Sequence, residues 1–160
     1  MFCLYPSRKL SVQNMKNAIH HKDIGVPAPV INMHTQPSVP KTALVVDDSM
    51  LIRHSVCRFL EERGFIVESA TNGVEALAVL NNFVPDVIIT DLSMPRMGGA
   101  ELVSRVREQT VFAATPILVL AARRSASDLA NVLPSGTAAV IFKDIDIEMQ
   151  LGRALGETLA

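Results

Sequence analysis

Short apolar runs alternate with amphipathic helical patterns five times along residues 41–160 of this chain. The runs are rich in Val and Ile at consecutive positions, which is typical of strands buried on both faces of a parallel sheet. They cover residues 43–46, 65–69, 87–90, 117–120 and 139–142. Five strand and helix pairs with short connections predict an α/β fold. In this fold a doubly wound, five-stranded parallel sheet carries helices on both faces, with right-handed crossovers.

The helices are predicted from residues that recur at helical spacing after each strand. Ser49 is predicted to cap the first helix, and Gly64 to end it. The five predicted helical faces contain, in chain order, Ile52, Val56, Phe59 and Leu60; Val74, Leu77, Ala78 and Asn81; Leu102, Val103, Val106 and Thr110; Ala126, Leu129, Ala130 and Leu133; and Ile147, Leu151, Ala154 and Leu155. Packing of these faces against the strands predicts one hydrophobic core on each side of the sheet.

The first 40 residues differ in composition from the rest of the chain. They contain four basic side chains and one acid, a net charge of +3, whereas residues 41–160 carry −4. Five of the nine prolines and three of the four histidines also precede Lys41, without sustained periodicity. We therefore predict a flexible N-terminal extension over residues 1–40 and one globular domain over residues 41–160. Translation from Met1 and from Met33 both remain open.

Composition and charge exclude several classes of protein. No apolar run reaches the roughly 20 residues that a membrane-spanning helix needs. A net charge of −1 without any Trp gives no sign of nucleic-acid binding. Cys3 and Cys57 are too few for a disulfide framework, which fits a reducing compartment. We expect a cytoplasmic protein that contacts neither membrane nor nucleic acid directly.

Charged side chains follow three of the predicted strands. Asp47 and Asp48 follow the first strand, Asp91 the third and Lys143 the fifth. Because ligands bind at the carboxyl ends of the strands in open α/β sheets, these side chains are expected to converge there. Three carboxylates at close range repel one another unless a cation lies among them, and oxygen ligands suit Mg²⁺. The sequence therefore predicts a magnesium site that includes these three acids, with Lys143 placed to contact a phosphoryl oxygen or a carboxylate.

Three other α/β chemistries lack their motifs. No G-x-G-x-x-G follows the first strand, which argues against dinucleotide binding, and no G-x-x-x-x-G-K-[ST] occurs, which argues against a P-loop. No G-x-S-x-G is present either, so the hydrolase nucleophile elbow is missing. The acidic edge of the sheet remains the candidate site.

Four segments of the chain resemble the receiver domain of two-component response regulators. They are V-V-D-D-S-M-L-I-R at residues 45–53, P-D-V-I-I-T-D-L-S-M-P-R-M-G-G at residues 85–99, P-I-L-V-L-A-A at residues 116–122, and the pair Phe142 and Lys143. The resemblance covers residues 41–160. It implies the flavodoxin-like receiver fold and a chemotaxis-type, single-domain response regulator in a phosphorelay.

The resemblance also implies roles for individual residues. Asp91 is expected to accept a phosphoryl group from a histidine kinase or a phosphotransfer protein. Asp48 is expected to bind Mg²⁺ directly, Asp47 mainly through water, and Ser93 through its backbone carbonyl. Lys143 is expected to contact the phosphoryl group. The chain would then be no enzyme in the ordinary sense, since it would catalyse only its own phosphorylation and dephosphorylation.

The chain departs from the receiver pattern at three positions. Ala121 stands where receivers usually carry Thr or Ser, Val140 where an aromatic residue is usual, and Asp144 where Pro usually follows the Lys. The first two positions normally couple phosphorylation to a rearranged surface, so this coupling is left open here. Arg123 and Arg124 could compensate by contacting the phosphoryl group.

Signalling is expected to occur by protein docking, because no output domain is predicted after the fifth helix. The expected docking surface combines the fourth helix, the fifth strand and the fifth helix, with Leu133, Ile145 and Met149 as possible apolar anchors. Two alternatives remain. One is a phosphorylation-independent adaptor with the receiver fold. The other is a phosphoryl-transfer enzyme with an Asp nucleophile, which is disfavoured because such enzymes commonly carry a second acid where this chain has Ser93.

Overall fold

The computed structural model describes residues 39–122, 130–143 and 146–160. Within these ranges, five parallel strands form one sheet in the order β2-β1-β3-β4-β5. The strands are Thr42–Val46 (β1), Ile66–Ala70 (β2), Val87–Asp91 (β3), Ile117–Ala121 (β4) and Ala139–Phe142 (β5). The helices are Met50–Glu61 (α1), Gly73–Leu80 (α2), Gly99–Arg107 (α3) and a C-terminal helix, Ile147–Thr158, and a short 3-10 turn covers Thr110–Phe112. The predicted doubly wound α/β fold is confirmed.

Alternate strand residues divide the core into two apolar clusters, one on each face of the sheet. In β1, Ala43 and Val45 pack with residues of α1 and the C-terminal helix. Leu44 and Val46 point to the opposite face and pack with residues of α2 and α3. All four side chains are fully buried. The central strands therefore carry apolar side chains on both faces, as the continuous Val and Ile runs predict.

Two predictions about burial are wrong. The β2 strand lies at an edge of the sheet and is largely exposed, with Ile66 51% exposed, because it has only one neighbouring strand. The predicted face of the second helix is also wrong, since Val74 is exposed while Gly73, Ala76 and Leu80 are buried. This helix is apolar around most of its circumference, so periodicity alone does not determine which face packs inward.

Several predicted features lie outside the described residues. These are the N-terminal extension as far as residue 38, the first part of the fourth predicted helix, the Arg123 and Arg124 pair, and the segment containing Asp144 and Ile145. Residues 130–132, at the end of the fourth predicted helix, are helical. In the part of the chain that is described, no helix is both long enough and apolar enough to cross a membrane.

The start of α3 packs directly against the end of β3. A Cβ atom placed on Gly99 would collide with the backbone carbonyl oxygen of Asp91. The amide of Gly99 donates to the carbonyl of Leu92 at 3.0 Å, which fixes this close approach. Only a residue without a side chain allows the two backbones to lie so near each other.

We expect the substitutions Gly99→Ala and Gly156→Ala to have opposite effects on stability. Gly99→Ala should lower the free energy of unfolding by about 1–3 kcal/mol, because the added methyl group meets backbone that has little room to move. Gly156 lies inside the C-terminal helix with nothing within 4 Å of its added Cβ, so Gly156→Ala should raise stability by about 0.5–1 kcal/mol. Urea unfolding of both variants checks this. Equal stability of Gly99→Ala and the wild type would contradict the close approach.

Candidate functional site

Three carboxylates meet at the carboxyl edge of the sheet, as the sequence predicts. Asp47 directly follows β1, Asp91 is the last residue of β3, and these two strands are neighbours in the sheet. One carboxylate oxygen from each of Asp47, Asp48 and Asp91 lies within 4.8 Å of the others. Asp47 and Asp91 are buried, whereas Asp48 is exposed. The site therefore has a buried floor and one acid open to solvent.

Asp47 is held in place from two directions. Its Oδ1 accepts a hydrogen bond from the backbone amide of Ser49 at 2.8 Å, and its backbone carbonyl accepts one from Nη1 of Arg53 at 2.8 Å. Ser49 also caps α1, as predicted, by accepting from the amide of Ile52. Burial raises the pKa of the Asp47 carboxyl, although the ion pair with Lys143 and the hydrogen bond from Ser49 act in the other direction. The fold thus disfavours the ionised form of Asp47 relative to the protonated form.

Lys143 bridges the two buried carboxylates. Its Nζ lies 2.8 Å from Oδ2 of Asp91 and 2.9 Å from Oδ2 of Asp47. Burial lowers the pKa of Lys143, but its ion pairs with Asp91 and Asp47 outweigh burial, so the pKa is raised overall. The predicted convergence of Lys143 with the acids is confirmed, and one ammonium offsets part of their mutual repulsion.

The loop after β3 shapes the side of the site around Asp91. The backbone amide of Ser93 donates to Oδ1 of Asp91 at 3.2 Å, so Ser93 lies in the loop beside the acid. Further along, the Met97 side chain is buried against Gly73, whose amide donates to the Met97 carbonyl at 3.1 Å. The loop is therefore tied to the start of α2 as well as to β3.

The donor set fits a small divalent cation. All three side chains offer oxygen, the ligand atom that Mg²⁺ prefers, and one oxygen from each lies within 4.8 Å of the others. Oδ2 of Asp47 is buried and, among the described residues, no partner meets hydrogen-bond geometry for it, although Nζ of Lys143 is close. An unsatisfied buried carboxylate oxygen has coordination capacity left, so the residues present are suited to Mg²⁺.

Of the three departures from the receiver pattern, Ala121 lies at this edge of the sheet and Val140 lies further back in β5, whereas Asp144 is outside the described residues. Ala121 is the last residue of β4, is 3% exposed and presents only a methyl group. Its carbonyl accepts a hydrogen bond from the amide of Lys143 at 3.0 Å. Val140 lies in β5, pairs with Val119 and is half-buried. Neither position supplies a hydroxyl or an aromatic ring to the site.

Three residues that support the site were not predicted. Arg53 stands within one of the quoted motifs, so its place near Asp47 follows from helical spacing, but its bond to the Asp47 carbonyl does not. Met97 also stands within a quoted motif, at residues 85–99, but its contact with Gly73 does not follow from that motif, and Gln150 gave no sequence signal. Met97 meets Gly73 only after folding, and the Gln150 side chain bonds the backbone of Phe142 eight residues earlier.

Comparisons with known proteins agree with this geometry. Residues 43–154 match the family model of the response regulator receiver domain. The chain is 35% identical over 111 residues to the Regulator of RpoS from Escherichia coli strain K12, and the match covers 69% of this chain and 32% of that protein. It is 38% identical over 115 residues to the Response regulator MprA from Mycobacterium sp. strain KMS, where the match covers 72% and 49%. The chain thus spans a third to a half of these curated relatives.

A solved structure is covered completely. The chemotaxis response regulator CheY4 of Vibrio cholerae shares 36% sequence identity with this chain, at a TM-score of 0.64. The match covers 73% of this chain and 100% of CheY4. The resemblance seen in the sequence motifs is therefore confirmed across the whole of a receiver structure.

We expect Asp48→Ala to raise the melting temperature without Mg²⁺ and to abolish the stabilisation that Mg²⁺ provides. Removing one of three neighbouring carboxylates relieves repulsion in the metal-free protein. In the wild type, Mg²⁺ at about ten times its Kd should add about 1.4 kcal/mol of stability. Melting curves with and without Mg²⁺ check this, with Glu61→Ala, an exposed acid at the end of α1, as the control. A metal-dependent shift of wild-type size in Asp48→Ala would exclude Asp48 as a ligand.

We expect Asp47→Asn to stabilise the metal-free protein at pH 7 by about 1 kcal/mol. The pKa of Asp47 is raised above its usual 3.8, so the wild type loses stability as pH rises through the interval between 3.8 and the folded value. Asn retains the acceptor for Ser49 without the charge. The advantage of the variant should therefore disappear at pH values below 3.8.

Urea unfolding across this pH range, with the exposed Glu108→Gln as control, measures the effect. A variant that is less stable than the wild type at pH 7 would show that the fold stabilises the ionised carboxylate.

Proposed function

The chain belongs to the response regulator receiver domain family, and from this membership we propose that Asp91 accepts a phosphoryl group from a histidine kinase or a phosphotransfer protein. The observation that carries the proposal is the position of Asp91. Its carboxylate is buried at the carboxyl edge of the sheet, within 4.8 Å of two further acids and in contact with Lys143. Acids are seldom gathered so closely without a cationic ligand to bind.

Asp91, Ser93 and Lys143 have different roles in the proposed phosphoryl transfer. An oxygen of Asp91 attacks phosphorus and the new O–P bond forms as the bond to the donor nitrogen breaks; that nitrogen keeps the bonding electrons, and the ring leaves as a neutral imidazole because its other nitrogen carries a proton. The Ser93 amide holds Oδ1 of Asp91, which orients the carboxylate. In the unphosphorylated protein Nζ of Lys143 contacts Oδ2 of Asp91. After transfer the same ammonium can contact a negatively charged phosphoryl oxygen instead.

Asp48 would hold Mg²⁺ directly, Asp47 mainly through water, and Ser93 through its backbone carbonyl. The ion, when bound, supplies positive charge for the phosphoryl oxygens and so lowers the barrier to attack by a carboxylate. Lys143 then has to neutralise only part of the acidic cluster. The chain acts as a catalyst of its own phosphorylation and dephosphorylation rather than on an external substrate. We assign this chemistry to the cytoplasm, since phosphodonor kinases act there.

We propose that the output is a protein contact at β5 and the C-terminal helix. A groove of about 280 Å³ lies between these two elements. Val140 and the 67% exposed Met149 supply apolar surface, while Arg153 and Glu157 supply charge. A mixed groove of this kind suits a protein segment with an apolar anchor and a polar rim. Of the predicted anchors, Met149 is exposed as expected, Leu133 is half-buried, and Ile145 lies outside the described residues.

A phosphorylation-independent adaptor is the second candidate, and one observation favours it. Lys143 already pairs with both buried acids, and Ala121 has no hydroxyl to move toward a phosphoryl group. A site whose Lys is already engaged and whose β4 end carries no hydroxyl has fewer groups to rearrange on phosphorylation. The adaptor would use the same groove constitutively.

We expect the wild-type chain to gain one phosphoryl group when incubated with Mg²⁺ and acetyl phosphate. The modification should be acid-stable and base-labile, as an acyl phosphate is, and Asp91→Ala should abolish it. Intact mass spectrometry before and after the incubation measures both results. Chelation of Mg²⁺ should reduce the extent of modification strongly, since the acids would then repel the phosphodonor.

Other outcomes would identify the alternatives. An unchanged modification level in Asp91→Ala would exclude Asp91 as the acceptor. No modification of the wild type, with groove-dependent partner binding intact, would favour the adaptor. Repeated turnover of small phosphoesters would favour a phosphoryl-transfer enzyme.

A further inference from the structure

The outer edge of β5 is occupied by a side chain. In the described sheet β5 is the last strand beyond β4, so its outer backbone groups have no neighbouring strand to pair with. The Gln150 side chain takes that place at Phe142. Its Oε1 accepts from the Phe142 amide at 3.0 Å, and its Nε2 donates to the Phe142 carbonyl at 3.0 Å. One carboxamide thus satisfies both backbone groups of the final strand residue.

Gln150 is itself firmly anchored. It lies in the first turn of the C-terminal helix, where its backbone amide donates to the Asp146 carbonyl at 3.2 Å. Its Nε2 also approaches this carbonyl at 3.3 Å. Asp146 caps the helix by accepting from the Met149 amide at 3.0 Å. The carboxamide therefore extends from a capped helix end, which restricts where it can move.

We call the two hydrogen bonds between the Gln150 carboxamide and the Phe142 backbone the Gln150 clamp. Lys143 is the next residue along the chain. On the inner side, the Lys143 amide donates to the Ala121 carbonyl at 3.0 Å. Gln150 on the outer side and Ala121 on the inner side therefore restrain consecutive residues at the end of β5. The Lys143 ammonium must reach two carboxylates from this point, at 2.8 and 2.9 Å. A long Lys side chain loses conformational entropy when it forms both ion pairs. A fixed backbone lowers this entropic cost, because the starting position of the side chain is already set.

We propose that Gln150 is a positioning residue for Lys143, acting through the backbone of Phe142. The inference deepens the proposed function and rests on it, since it assigns a residue that supports the phosphoacceptor site. Gln is the suitable residue because it offers a donor and an acceptor on one planar group. Glu would retain only the acceptor and place a charge beside the Phe142 carbonyl, and Met would retain the length but neither hydrogen bond.

The test compares Gln150→Met and Gln150→Glu with the wild type and with Gln109→Met, which changes an exposed Gln after α3. NMR of the metal-free protein gives two readouts that need no phosphorylation. The Phe142 amide should exchange with solvent roughly tenfold faster in Gln150→Met. The two ε-methylene protons of Lys143 should have separate shifts in the wild type, because a fixed side chain makes them inequivalent, and should merge in Gln150→Met. Gln150→Glu should show an intermediate exchange rate.

The functional readout is the rate of modification by acetyl phosphate with Mg²⁺. Gln150→Met should slow it by about fivefold, the factor expected for one net hydrogen bond, and Gln109→Met should leave it unchanged. In a Lys143→Ala background, Gln150→Met should have no further effect, because the residue it positions is gone. A purely structural role would instead slow both backgrounds by the same factor and would overturn the proposal.

The outcomes separate this inference from the proposed function. If no variant, including the wild type, is phosphorylated, the proposed function fails and the NMR readouts alone decide the clamp. Unchanged Phe142 exchange or unchanged Lys143 methylene shifts in Gln150→Met would refute the positioning role even when the wild type is phosphorylated normally.

Discussion

The ion pairs of Lys143 are the interaction on which the arrangement of the site depends. Two buried carboxylates, Asp47 and Asp91, lie at the ends of neighbouring strands and repel each other. Burial also removes each of them from water, which has a large desolvation penalty. An ammonium that touches both carries opposite charge into the same low-dielectric region. Lys143, which directly follows β5, thereby stabilises the buried acids at the ends of β1 and β3.

The backbone supplies the precision that these charges need. Strand order places β1 beside β3, and the absence of a side chain at Gly99 lets α3 begin directly against Asp91. The loop between β3 and α3 is held against the start of α2, because the Gly73 amide donates a hydrogen bond to the Met97 carbonyl. Asp91 is thus positioned by neighbouring elements before any ligand arrives, which reduces the reorganisation that binding or chemistry requires.

The sequence predicted those parts of the structure that local pattern determines. All five strands, to within one residue at each end, and the convergence of Asp47, Asp91 and Lys143 followed from apolar runs and from the rule that parallel strands bring their carboxyl ends to one edge. The inward face of α2 could not be read, because an apolar residue on nearly every side leaves the choice to tertiary packing. The exposure of β2 depends on its place at the edge of the sheet. The clamp by Gln150 depends on where the C-terminal helix docks, which no short-range pattern encodes.

The division of the core by the sheet has a consequence for how such a chain can diverge. The cluster shared by α1 and the C-terminal helix has no member in common with the cluster beneath α2 and α3. Substitutions of helix residues on opposite faces of the sheet, which share no partner in these clusters, combine with nearly independent effects on stability. The helices on one side can accordingly change shape and chemistry while those on the other side keep theirs. Selection for a new partner on one face then leaves the opposite face largely free to retain an old one.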